Sequence, residues 1–270
     1  MNGELKILGT GNAMCSRCYN TCFVLRAGGT SLLVDGGGGN GVLTQLRRAG
    51  VRVEDIHHVF VTHSHTDHIL GIIWVIRRIV PMMHNGKYNG TLTVMGNETV
   101  ITNLRAMCMM TMSDKITSHF DNDVIFKTLA HGETVTAGEI ELTAFDSTSP
   151  VSTTPQFGFT ALLPDGKRVA VPGDEPLTEA SHEWVKDADW LLSEAFCLYR
   201  DRDRFRPYEK NHSTALDAAM TAARLGVKHL VLYHTEDVTL ATRRENYSAE
   251  AATRFSGTIH VPDDLETITI

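Results

Sequence analysis

The stretch that most constrains this chain is Val59-Phe60-Val61-Thr62-His63-Ser64-His65-Thr66-Asp67-His68. Residues of strand-forming type run straight into three histidines and an aspartate. A strand that ends this way delivers its polar side chains at its C-terminal tip. His63 and His65 are two apart, so an extended segment points them the same way. Asp67 and His68 stand where the chain turns into the apolar run Ile69 to Ile76, which reads as a buried helix with Asp67 at its N-terminal end. Neutral imidazole and carboxylate suit zinc and similar divalent ions, so His63, His65, Asp67 and His68 read as metal ligands. Histidines do cluster by chance, but four ligand-type side chains between a strand and a helix are hard to assign to chance.

At 270 residues the chain can bury a sizeable core. It shows no repeats and no low-complexity linker, so a single domain over 1–270 is expected. The net charge of −7 provides no global basic field to recruit nucleic acid. The N-terminus lacks a signal-type apolar run, and no stretch approaches the ~18 apolar residues of a membrane span. Five cysteines without a secretory signal fit a reducing cytoplasm. Cys15, Cys18 and Cys22 fall within one short segment, but no fourth ligand for a structural zinc is evident; loop thiols and a small buried hydrophobe are the simpler reading.

The remaining pattern alternates strands and helices. Leu5 to Leu8, Thr21 to Leu25 and Thr30 to Val34 read as strands. Asp35 follows the last of these and is placed to orient a ligand histidine. Val42 to Arg48 and Glu98 to Met112 read as helices, the second with a methionine-rich cluster expected in the core. Pro81 to Gly90 reads as a polar loop. Val124 to Leu129, Glu139 to Phe145, Phe157 to Leu163 and Arg168 to Val171 read as strands, the last two joined as a hairpin through Pro164-Asp165-Gly166. Asp174, Glu194 and His234 each follow or end a further strand, repeating the layout of a strand that ends in a ligand. Asp174 is placed to bridge two metals. The charged segment from Arg200 to Lys210 is a solvated loop or an anion-binding site. Thr214 or Ser213 caps an alanine-rich helix.

The His-x-His-x-Asp-His pattern resembles the signature of the metallo-β-lactamase fold superfamily. Gly9-Thr10-Gly11, Asp35 with its glycines, Gly173-Asp174 and His234 follow in the order seen in its hydrolases. Glu194-Ala195-Phe196 and Asn211-His212-Ser213-Thr214-Ala215 resemble two segments of the tRNase Z family. The resemblance implies an α/β architecture, an αββα four-layer sandwich of two mixed β-sheets. It implies a divalent metal centre of one or two ions, zinc first, with manganese, iron or nickel as alternatives, held by His63, His65, Asp67, His68, Asp174 and His234. It further implies catalytic roles for Asp67, which orients the nucleophile, and for Glu194 and His212, an acid pair that protonates the leaving oxygen. In that pair the carboxylate is expected to raise the imidazole's pKa.

Two departures from the family pattern matter. Members usually supply another histidine shortly before a Gly-aromatic pair; here Gly158-Phe159 is preceded by no histidine, so the subsite of His63 and His65 is short of a ligand. The long glycine- and proline-rich arm that grips tRNA has no room between Phe159 and Gly173. The expected function is therefore a metal-dependent phosphodiesterase acting on a small phosphodiester, with nucleic acid not favoured, no membrane partner and a homodimer as one open arrangement. Hydrolysis of a carboxylic ester, thioester or lactone, or a degenerate metal-binding protein, are the rival readings.

Overall fold

The computed structural model describes residues 3–270. The strands form two seven-stranded sheets. The first contains β1 (Glu4–Gly9), β2 (Cys22–Ala27), β3 (Thr30–Val34), β4 (His58–Phe60), β5 (Leu92–Gly96), β6 (Val124–Thr128) and β14 (Thr267–Thr269), in the order β14-β1-β2-β3-β4-β5-β6. The second contains β7 (Thr134–Ala137), β8 (Ile140–Asp146), β9 (Phe157–Leu162), β10 (Arg168–Val171), β11 (Trp190–Glu194), β12 (His229–Tyr233) and β13 (Thr258–His260), in the order β13-β12-β11-β10-β9-β8-β7. Each sheet is mixed: β3 to β6 run parallel, as do β10 to β13, while hairpins make up much of the rest.

Period-two alternation decides what each face meets. Ile7, Phe23, Leu25, Leu32, Val34 and Phe60 join Phe159, Val169, Val171, Leu192 and Val231 in the core between the sheets. Their neighbours Leu8, Cys22, Val24, Leu33 and Val59 face the other way, under α1 (Gly41–Arg48), α2 (Thr66–His84), α3 (Glu98–Thr111) and the one-turn α4 (Asp114–Thr117). On the far side, Leu191, Leu230 and Leu232 pack with α5 (His182–Val185), α7 (Ala215–Arg224) and α8 (Leu240–Ala252); the short α6 (Arg202–Phe205) lies between α5 and α7 in the chain. The result is the four-layer αββα sandwich. Strands with both faces buried read as continuous apolar runs, as these do.

Helix α2 places the ligand stretch. It buries Ile69, Ile72, Val75, Ile76, Ile79 and Val80, an upper-bound stabilisation on the order of 10 kcal/mol. That apolar stripe carries the helix past Pro81, where the sequence suggested a loop. Proline there lacks only one N–H, and Asn85 closes the end by donating its backbone N–H and side-chain amide to the Pro81 carbonyl. The methionine cluster of α3 divides, with Met112 buried but Met109 and Met110 exposed, because near-consecutive helical residues point about 100° apart and cannot share one face. No helix among the described residues is long and apolar enough to cross a membrane.

The loop after β3 docks on α2. The Gly36 N–H donates to the His68 carbonyl at 2.8 Å and the Gly71 N–H donates to the Gly37 carbonyl at 2.9 Å. A Cβ at Gly71 would stand 1.8 Å from the Gly36 carbonyl oxygen, so the helix can approach this closely only through glycine. Gly71→Ala is expected to cost about 2 kcal/mol or more and to lower the thermal midpoint by roughly 5 °C. A melting curve that superimposes on that of the parent would show that this backbone contact does not limit stability.

Candidate metal centre

The C-terminal ends of the parallel strands from both sheets meet at one place, as open α/β sheets require of a binding site. Beyond β3 comes Asp35, beyond β4 the segment to His65, beyond β10 Asp174, at the end of β11 Glu194 and beyond β12 His234. Strand β4 stops at Phe60, and α2 begins at Thr66 with His65 at its N-cap, so Asp67 and His68 occupy its first turn.

Four donor atoms face one point. His68 Nε2 lies 3.3 Å from Asp67 Oδ2 and 3.4 Å from Asp174 Oδ2, and His234 Nε2 lies 3.5 and 3.3 Å from the same two oxygens. The corners of a tetrahedral zinc site with ligand bonds of about 2.0–2.1 Å are about 3.4 Å apart, so the spacing fits a divalent ion. Asp67 Oδ2 and both Nε2 atoms are buried without a hydrogen-bond partner, a costly arrangement for groups not meant to share a cation. Asp174 turns its other oxygen to His63 Nε2 at 3.5 Å. It therefore stands between this group and a second one formed by His63, His65 and Asp174.

The second group is poorer. His63 Nε2 and His65 Nδ1 are 2.9 Å apart and His65 is exposed. The segment before Gly158 brings Thr154 Oγ1 to 3.2 Å from His65 Nε2, the ring nitrogen opposite the Nδ1 that faces His63, and supplies no imidazole to the group. Asp146, the nearest acid in the chain before that segment, is exposed and joins neither group.

The electrostatics follow from burial. Burial alone would push Asp174 up, but His63, His234 and His68 outweigh it and hold it well down. The same balance holds Asp67 low, through His68 and His234. His68 is pushed down by burial and more strongly up by Asp67, Asp35 and Asp174. His63 has less compensation, and its burial drives it well down, towards the neutral form that ligates metal.

A second set of residues, which the sequence only partly suggested, aims the first. Asp35 Oδ2 is 2.7 Å from His68 Nδ1, as its position after β3 suggested. Thr62 fixes Asp35 by donating its N–H and hydroxyl to the carboxylate, and its Oγ1 is also 3.0 Å from His63 Nδ1. Gln156 Oε1 accepts from the Asp174 N–H at 3.2 Å. Asp35 and His234 both hold positive φ, at 57° and 55°; such backbone costs on the order of 1–2 kcal/mol and marks functional sites. Thr62 and Gln156 carried no sequence signal beyond adjacency to His63 and to the strand at Gly158.

Glu194 and His212 also reach this place, but not as a hydrogen-bonded pair. Glu194 Oε1 accepts from the Ser213 N–H at 2.5 Å, while its Oε2 stands 3.8 Å from His212 Nδ1. His212 Nδ1 instead donates to the Asp174 carbonyl at 2.8 Å, which directs Nε2 away from that carbonyl. The Phe196 ring stacks on the imidazole at 4.8 Å. Burial therefore pushes His212 down to about 4, with His234 adding to the effect, where a carboxylate partner was expected to raise it. Burial pushes Glu194 well up, against the Ser213 hydrogen bonds that favour the carboxylate.

The same arrangement of sheets occurs in proteins of known structure. The metallo-beta-lactamase fold protein YhfI from Bacillus subtilis superposes with a TM-score of 0.78 at 20% identity, covering 99% of both chains. The short form of human tRNase Z gives 0.75 at 20% identity, again over 99% of both. A diphosphatase of the PhnP family gives 0.74 at 18%, over 100% of this chain and 98% of that one. The fold is thus the metallo-β-lactamase fold. In sequence, the chain is 29% identical to ribonuclease Z of Thermobifida fusca (strain YX), over 99% of this chain and 94% of that one, and 28% identical to ribonuclease Z of Mycolicibacterium gilvum (strain PYR-GCK), over 99% and 96%. The family model described as "Anti-Pycsar protein Apyc1" matches residues 3–252, nearly the whole chain, and the chain belongs to that family.

Proposed function

We propose that this protein is a metal-dependent phosphodiesterase of small phosphodiesters. The observation that carries the reading is the meeting of Asp67, His68, Asp174 and His234 within one tetrahedral spacing, beside Glu194 and His212. The ribonuclease Z relatives and the diphosphatase-like fold support the phosphodiester class. Asp67, His68, Asp174 and His234 would hold a divalent ion, zinc before manganese, iron or nickel. His63, His65 and Asp174 would hold a second ion more weakly. A divalent ion bound there supplies charge neutralisation at phosphate and a lowered pKa for water.

The remaining work belongs to the chain's own side chains. Asp67 orients the attacking water. His212, its Nδ1 tied to the Asp174 carbonyl, moves a proton at Nε2 to the leaving oxygen. Burial disfavours the imidazolium, and an anionic phosphodiester in the site offsets that penalty. Glu194 accepts the Ser213 N–H and fixes the turn that carries His212.

The connection between β9 and β10, residues 163–167, is a tight turn, which supports small diesters over tRNA. Turnover of bis(p-nitrophenyl) phosphate and of small alkyl phosphodiesters is expected, with little 3′ cleavage of precursor tRNA. Efficient and specific precursor processing would overturn the substrate class, and turnover confined to carboxylic esters or lactones would overturn the reaction class.

Metal content tests the ligand sets. His68→Ala and His234→Ala should each lose the tightly held ion in elemental analysis, and unchanged content in both would end the assignment. Titration of metal-stripped protein should reveal two unequal affinities or one site. Two equally tight sites in the parent would contradict the geometry.

Removal of an acid typically costs ~10²–10⁴ in rate. His212→Ala and Glu194→Ala should lose that much kcat on an alkyl phosphodiester, far less on a nitrophenyl ester, and keep their metal. Equal losses on both substrates would argue against proton delivery.

A further inference from the structure

Cys15 and Cys18 take no part in the site described above, yet they are placed for chemistry. They are spaced Cys-Ser-Arg-Cys in the loop between β1 and β2, and both are half-buried. Their sulfurs converge over Gly11. A Cβ built there would stand 2.6 Å from Cys18 Sγ and 2.8 Å from Cys15 Sγ, so a single point lies within 3 Å of both. No His, Asp, Glu or further Cys among the described residues joins them as a metal-binding group. Cys22, the third thiol of the segment, is fully buried under the first sheet and faces away into the helix-side core.

The Cys15 S–H donates to the Thr235 carbonyl, 3.2 Å away, with the Cys18 sulfur converging on the same point over Gly11. Thr235 directly follows His234, and the same carbonyl accepts the Asn12 N–H while the Thr235 N–H donates to Thr10. The thiol loop thus holds the residue next to a candidate ligand whose own φ is positive.

We propose that Cys15 and Cys18 form a redox-active dithiol that closes to a disulfide, and that its closure is felt at His234. The oxidant is a low-molecular-weight disulfide. The Cys18 thiolate attacks one of its sulfurs, forms a mixed disulfide and expels one thiolate. Cys15 then gives up its proton and attacks the Cys18 sulfur, expelling the second thiolate. Two protein thiols are oxidised, one disulfide bond forms, and the small disulfide is reduced to two thiols. The direction of attack suits the pair: the bond from Cys15 holds Cys18 below the ordinary thiol range and pushes Cys15 up. Closure takes the Cys15 S–H away from the Thr235 carbonyl. The second half of the proposal rests on His234 as a metal ligand; the first half does not.

The metal-loaded, full-length protein is equilibrated in glutathione buffers of increasing oxidised fraction, alkylated and digested with trypsin. Arg17 lies between the two cysteines, so cleavage at Lys6, Arg17 and Arg26 leaves them on separate peptides, 7–17 and 18–26. The expected product is one linked pair of these peptides, lighter than their sum by two hydrogens, reversed by dithiothreitol and bridged through Cys18 on fragmentation. A bridge through Cys22, or only mixed disulfides with glutathione at every ratio, would overturn the dithiol. For the second half, transfer of metal to a chelator is compared for reduced and oxidised protein. Release should be faster by about tenfold after oxidation, the size of effect usual for a displaced partner of a ligand. Cys18→Ser, treated alike, should show no change. Equal release from both forms of the parent would overturn the link to His234 and leave the thiol result standing.

Discussion

The molecule depends on burying one negative charge. Asp174 is 4% exposed at the seam between the sheets, and three histidines surround its two oxygens. An uncompensated carboxylate there would cost several kcal/mol. Each histidine that offsets the charge comes from a different turn of the chain, so keeping the carboxylate ionised holds β4, α2, β10 and β12 in register at their ends. The same interaction separates the two groups of candidate ligands, because each takes one oxygen of the same side chain.

The scaffold tolerates this seam because stability is placed elsewhere. Three apolar layers, one between the sheets and one under each set of helices, hold the strands whose tips meet at the seam. The tips can then hold strained backbone at Asp35 and His234, orphaned imidazole nitrogens and a buried Glu194 carboxyl. Thr62 shows how little extra structure this takes: one residue binds Asp35 twice and lies against His63. The two groups have unequal donor chemistry on an otherwise shared frame: two carboxylates and two imidazoles in one, one carboxylate and two imidazoles in the other.

Much of this was legible in the amino-acid order. The alternation in Thr21 to Leu25 and Thr30 to Val34 made strands with two buried faces, and the stretch from His63 to His68 announced its ligand-type side chains by composition alone. Asp35, Asp174, Glu194 and His234 were visible as polar residues at strand ends, and the resemblance to a known fold grouped them. Less legible were residues whose part depends on a neighbour distant in sequence. Nothing around Gln156 or Thr154 points to Asp174 or His65, and the buried stripe of α2 outweighs Pro81 only once its partners are in place.

The sequence by itself determined the kinds of atoms available and the ends of the strands at which they emerge, because side-chain periodicity and turn chemistry act over a few residues. Only the tertiary structure decided which atoms face each other. Glu194 and His212 have the residue types of an acid pair, yet Ser213 takes the carboxylate and the Asp174 backbone takes the imidazole. Burial then sets their protons in directions that no spacing could reveal. The reason is physical: a pKa and a hydrogen-bond partner depend on distance and exclusion of water, and both come into being only when the two sheets close on one another.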